Sequence, residues 1–122
     1  MSAPVLPRRR PHTVIAGHVG QTSVHVGLGT KPDGTLREVF IDVHREGSPV
    51  RALYHLIAQL TSIALHEGVS ARRIAKAFRS VHEQPLPVDC HDDAITEAVS
   101  VCDYIGQIIE REHVNANPEA QS

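Results

Sequence analysis

The chain has 122 residues, a formal net charge of −2 with its histidines neutral, two phenylalanines, two tyrosines and no tryptophan. That length predicts one domain with one modest aliphatic core. Near-neutral charge supplies no field to draw in nucleic acid or a membrane surface, and so few aromatics exclude a base-stacking platform for single strands. Two cysteines, Cys90 and Cys102, no leader and no apolar run near ~18 residues predict a cytoplasmic protein without a disulfide or a membrane span. The nine histidines are scattered and form no HExxH or CxxC-type pair, so no metal site is expected.

Residues 1–11 hold three prolines and the run Arg8-Arg9-Arg10, a composition that predicts a solvated basic tail. The folded domain is expected over 12–112, with a second tail at 113–122. Thr13–Val19 and Thr22–Gly29 alternate β-branched with small or polar residues, placing Val24, Val26 and Leu28 on one face and His25 and Gly27 on the other. Asp33-Gly34 is a reversal signal, because a tight hairpin needs a positive-φ position. The return strand is Thr35–His44, with Val39, Ile41 and Val43 on one face and Leu36, Glu38, Phe40 and Asp42 on the other.

Ser48-Pro49 predicts a helix start, with serine as N-cap and proline at the first helical position. At 100° per residue, Arg51, His55, Gln59, Ser62 and His66 form one narrow polar stripe. Leu53, Leu56, Ile57, Leu60, Ile63, Ala64 and Leu65 occupy most of the remaining circumference, wider than the apolar stripe of an ordinary surface helix. This helix is therefore expected to be the buried centre of the domain, covered by the sheet and by other helices or a second subunit. Gly68 is expected to cap it. Ser70 should cap a second helix over 71–81, burying Ile74, Ala77, Phe78 and Val81. Pro85 and Pro87 mark 83–89 as a connector, and the 3–4 spacing of Ile95, Ala98, Val99, Cys102, Ile105 and Ile109 predicts a third helix over 92–113. The expected architecture is α+β: an antiparallel sheet of two or three strands, opening with an N-terminal hairpin, packed on three helices.

Chemistry is sparsely signalled. Cys90-His91-Asp92-Asp93 brings a thiol, an imidazole and two carboxylates together, but neighbours at a helix start seldom converge on one reacting atom. Packing of Cys90 as a small apolar residue, with Asp89 or Asp92 capping the helix, accounts for them. Arg72, Lys76 and Arg79 share a face of the second helix with Arg73 beside them, a surface for an acidic helix, an acidic partner or a phosphate. Arg51, His55 and His66 are donors for an anion if their stripe lines a pocket. No Gly-rich phosphate loop, GxSxG or paired-carboxylate cleft is present.

The chain resembles the TSCPD domain family, found at the C-terminal side of adenosylcobalamin-dependent (class II) ribonucleotide reductases and as short stand-alone proteins. The resemblance runs through Leu6-Pro7-Arg8-Arg9, Val24-His25-Val26, Asp33-Gly34, Arg37-Glu38-Val39-Phe40-Ile41 and Glu46-Gly47-Ser48. It continues through Leu60-Thr61-Ser62-Ile63-Ala64-Leu65 and Gly68-Val69 to Ile74 and Phe78. Where the family carries Thr-Ser-Cys-Pro-Asp, this chain has Asp89-Cys90-His91-Asp92-Asp93, keeping a Cys and an Asp (Cys90, Asp93) without the proline or the Thr-Ser. The resemblance implies deoxyribonucleotide metabolism: a module that docks to or regulates the large subunit of a class II-like reductase and binds nucleotide. It implies no reduction by this chain, no cofactor of its own, and adenosylcobalamin only through the partner. The alternative is a non-catalytic, self-associating interaction module, a homodimer covering the wide apolar surface of the central helix.

Overall fold

The computed structural model describes residues 12–44, 48–90 and 94–115. Both expected tails, apart from His113–Asn115, lie outside the described residues, as do Gly47 and the run His91-Asp92-Asp93. The elements run β1 (His12–Val19), β2 (Thr22–Thr30), β3 (Leu36–Val43), α1 (Ser48–His66), α2 (Ala71–Arg79), β4 (Leu86–Cys90), β5 (Glu97–Ala98) and α3 (Val101–Ile109), which ends in a π-helical turn at Glu110–Val114. The strands form one antiparallel sheet in the order β3-β2-β1-β4-β5.

The class is α+β, but the sheet has five strands where two or three were expected. The first three follow the local signals. Gly34 takes a φ of 91° in the turn after Asp33, whose carboxylate accepts from the Thr35 amide and hydroxyl. Val24, Val26 and Leu28 meet Val43, Ile41 and Val39 across the β2–β3 ladder, and all six are buried. A bulge at Gly29/Thr30 brings Leu36, not Arg37, opposite Thr30. One extra residue reverses the alternation, so Leu36 is buried while Phe40 is exposed, although the two were expected to share a face.

The other two strands come from the segment expected to be a connector and the start of a long helix. β4 runs antiparallel to β1 (Gly17↔Cys90, Val19↔Val88), and Pro87 faces Glu97 of β5. A proline donates no hydrogen bond, so it is tolerated near the start of a strand; its carbonyl accepts from Gly20 at 2.8 Å. The third helix begins at Val101, nine residues later than expected. Ser100 is extended and its hydroxyl accepts from the Asp103 amide, while the Asp103 carboxylate reaches back to the Val99 amide at 3.0 Å. This reciprocal cap stops the helix from extending backwards.

The buried centre is α3, not α1. Tyr104, Ile105, Ile108 and Ile109 are fully buried. Tyr104 lies over Gly17 of β1, where an added Cβ would come within 2.5 Å of the phenol oxygen. α2 packs on α3 through Ala71, Ile74, Ala75 and Phe78, a face turned from the expected one: Ala77 and Val81 are exposed. Ser70 caps α2 by accepting from Arg73, as expected. α1 instead lies along β3, the edge strand. Its Ser62 hydroxyl accepts from the Val39 amide (3.0 Å) and donates to the Val39 carbonyl (3.2 Å), satisfying backbone groups that an edge strand leaves open. Gly68, at φ 94°, closes α1 as expected, with Val69 N–H donating to Ala64 and Gly68 N–H to Leu65. Leu53, Leu56, Leu60 and Ile63 are left about half exposed.

Candidate functional site

Because α1 lies along β3, its polar stripe faces the outer surface of the sheet. Strand register aligns three rungs there: His12–Gly29–Glu38, Val14–Gly27–Phe40 and Ala16–His25–Asp42. Gly27 lies on the floor, with Gly29 two residues along the same strand. A Cβ at Gly27 would lie 3.3 Å from Phe40, and one at Gly29 would lie 2.6 Å from Glu38, so both side chains lie down across the glycines. An aromatic ring laid over a strand glycine covers the backbone that the missing side chain exposes. Between this surface and His55, Gln59 and Ser62 of α1 is a cavity of about 510 Å³, walled by Val14 and Phe40 and edged by His12, His25, Glu38 and Asp42.

Asp42 is the hub of one end. Arg51 donates to it from Nε (3.2 Å) and Nη2 (3.1 and 3.3 Å), His55 Nε2 is 3.3 Å away and His44 Nε2 is 2.8 Å away. Burial alone would raise the Asp42 carboxyl, but the Arg51 and His55 hydrogen bonds and the charges of Arg51 and His44 outweigh it and hold it below the usual carboxylate value. The His44 ring meets the His25 ring edge-on at 5.2 Å, and the buried Nδ1 of His25 has no hydrogen-bond partner. Among the described residues no cluster of three or more His, Cys, Asp or Glu side chains is placed to hold a metal ion.

Of the expected site residues, Arg51 and His55 come together on Asp42. His66 lies about three turns beyond His55 on α1, in a shallow depression with Gln59, Ser62, Ile63 and Glu67. The α2 set divides. Arg79 pairs with the buried Asp103 (2.7 Å) and with Glu110 (2.5 Å), which raises its pKa, while Arg72 and Lys76 are exposed. Cys90 is buried at the end of β4 with the Tyr104 hydroxyl 3.5 Å from its sulfur; Asp93 lies outside the described residues. Neither cysteine is in a disulfide, and burial pushes the Cys102 thiol up. The cavity's sheet-side wall was missed in the sequence reading. The available signal was the pair of apolar residues, Val14 and Phe40, standing on the polar side of their strands.

The TSCPD domain model matches residues 3–113. Curated relatives named vitamin B12-dependent ribonucleotide reductase include those of Agrobacterium fabrum (34% identity over 100 residues), Bradyrhizobium diazoefficiens (32% over 100) and Rhodopirellula baltica (33% over 93). The matches cover 82%, 82% and 76% of this chain but 8% of each relative, so the chain spans less than a tenth of those proteins' length. No solved structure matches it significantly. Among the described residues, no helix is long and apolar enough to cross a membrane.

Proposed function

Since the chain belongs to the TSCPD domain family, we propose that it serves an adenosylcobalamin-dependent ribonucleotide reductase as an accessory module, docking to or regulating the large subunit. The observation that carries this is the coextension of family and fold: the match at 3–113 takes in every described strand and α-helix. A unit that brings its own sheet, core and caps can act on a reductase without containing its catalytic body.

The reduction itself is the partner's. The cavity of about 510 Å³ falls in the ~300–1,000 Å³ range of drug-sized ligand sites. On this reading the cavity takes a nucleoside, and adenosylcobalamin is held by the partner reductase. A base and sugar fit its apolar walls better than a phosphate does, because the Arg51 guanidinium beside it is already paired with Asp42. The test is titration of the chain into an adenosylcobalamin-dependent reductase from the same source, with and without nucleotide. A complex at about 10 µM, accompanied by altered nucleotide dependence of turnover, is expected. Absence of both at that concentration overturns the reading. Phe40→Ala and His55→Ala should weaken nucleoside binding while leaving the fold intact, since both side chains are exposed.

A further inference from the structure

The most conspicuous unpartnered feature lies on the opposite side of α1 from the cavity. Leu53, Leu56, Leu60 and Ile63 are 59%, 47%, 56% and 53% exposed, whereas the other described Leu and Ile residues are buried or mostly covered. Their 3-4-3 spacing is that of a two-helix seam. Leu60 also borders an apolar groove of about 280 Å³ formed with Ile57, Ala77, Phe78, Val81 and Cys102. With the exposed Val81, the surface amounts to roughly 500 Å² of apolar side chain per copy, at the upper end of what a monomer shows. Two copies would bury on the order of 1,000 Å², the threshold for a specific interface.

We propose that this surface is the two-fold interface of a homodimer in which α1 packs antiparallel on α1 of a second copy. The exposed stripe is symmetric about position 58: Leu56 mirrors Leu60, Leu53 mirrors Ile63, Ala52 mirrors Ala64, and Pro49 mirrors Glu67. An isologous interface requires this, because residue i must meet j while j meets i. Laid antiparallel with the axis level with position 58, each leucine at 56 faces a leucine at 60 and each leucine at 53 faces an isoleucine at 63, like volume on like volume.

Charge agrees with the same arrangement. The positions flanking the seam are Ala52, Gln59 and His66 on one side and Ile57 and Ala64 on the other. They carry no Asp, Glu, Lys or Arg, so a helix of the same sequence meets no like charge and no opposite charge is offered to select a different partner. Antiparallel packing puts Glu67 beside the partner's N-terminal turn, where the helix dipole favours an anion. Parallel packing would set the two Glu67 carboxylates against each other in the seam. The proposal does not depend on a reductase partner.

Sedimentation of the full chain tests it, with twice the 13.3 kDa chain mass expected at about 50 µM. Leu56→Glu/Leu60→Glu should give a monomer with unchanged circular dichroism, because both side chains already reach solvent. Leu53→Glu alone and Ile63→Lys alone should each weaken the dimer at least tenfold. Leu53→Glu/Ile63→Lys in one chain should recover most of that loss, since position 53 then faces its opposite charge at 63 twice. A monomeric parent chain, a dimer that survives Leu56→Glu/Leu60→Glu, or a double variant no better than its singles would each overturn the proposal. A monomer that binds a reductase through this stripe would assign the surface to that partner instead.

Discussion

α1 and α3 exchange the roles that their patterns suggest. α1 has 19 residues, apolar around most of its circumference, yet among its described side chains only Ala58, Thr61 and Leu65 are buried. α3 has nine residues with charged and polar neighbours on both sides, and six of the nine are buried, Asp103 among them. The difference lies in what each packs on. α3 sits against the inner face of the sheet and against α2, and is enclosed. α1 covers the edge of the sheet, which takes one side of a helix and leaves the other to find a separate cover.

That contrast makes substitutions in α3 costly to folding and substitutions on the α1 stripe nearly neutral to it. The largest effect is expected from Ile108→Ala, about 3–5 kcal/mol of unfolding free energy by denaturant titration, from lost burial and a cavity. Asp103→Ala should cost about 2–4 kcal/mol, less than a fully enclosed pair because Arg79 reaches solvent. It removes acceptors from Arg79, the Val99 amide and Gln107 together.

Gly106→Ala sharpens the comparison by its sign. In an open helix this change stabilises by up to about 1 kcal/mol. Here the new Cβ would lie 2.8 Å from Arg79 Cγ and 2.9 Å from the Ala75 carbonyl oxygen, so thermal melts should show a loss of about 1–3 kcal/mol.

His113, in the turn that ends α3, gives a smaller and pH-dependent effect. Burial lowers its pKa below the ordinary 6.5, and the nearby Glu112 charge only partly opposes this. The unfolded chain then binds the proton more tightly, so stability is complete above about pH 6.5 and declines as pH falls from there towards the folded value. His113→Leu should flatten the melting temperature across that window. Smallest is Leu56→Gln on α1, expected within about 0.5 kcal/mol for unfolding of the separated chain.

Much of the fold could be read because its signals are local. Asp33-Gly34, Ser70 and Gly68 each specify a turn or cap through residues within four positions, and all three act as expected. What could not be read depends on distant pairing. Pro85 and Pro87 look like a connector until β1 is known to offer its edge to Val88–Cys90. Ile95 and Ala98 keep helical spacing only by coincidence, one before β5 and the other in it. The capping pair Ser100 and Asp103 was a local signal for the true start of α3, but an unbroken apolar spacing masked it. The candidate site divides in the same way. Arg51 and His55 are legible on a helical wheel, whereas Asp42, His25 and Phe40 join them only because α1 chose the edge of β3.

The most direct measurement is the distance between nitroxides placed at Gln59 or at His66, in a Cys102→Ser background with Cys90 left buried. Antiparallel pairing about position 58 separates the labels at 59 by about 10 Å and those at 66 by about 25 Å, from 1.5 Å rise per residue and 8–10 Å between helix axes. Equal short distances at both positions, or no coupling at either, would contradict the two-fold seam.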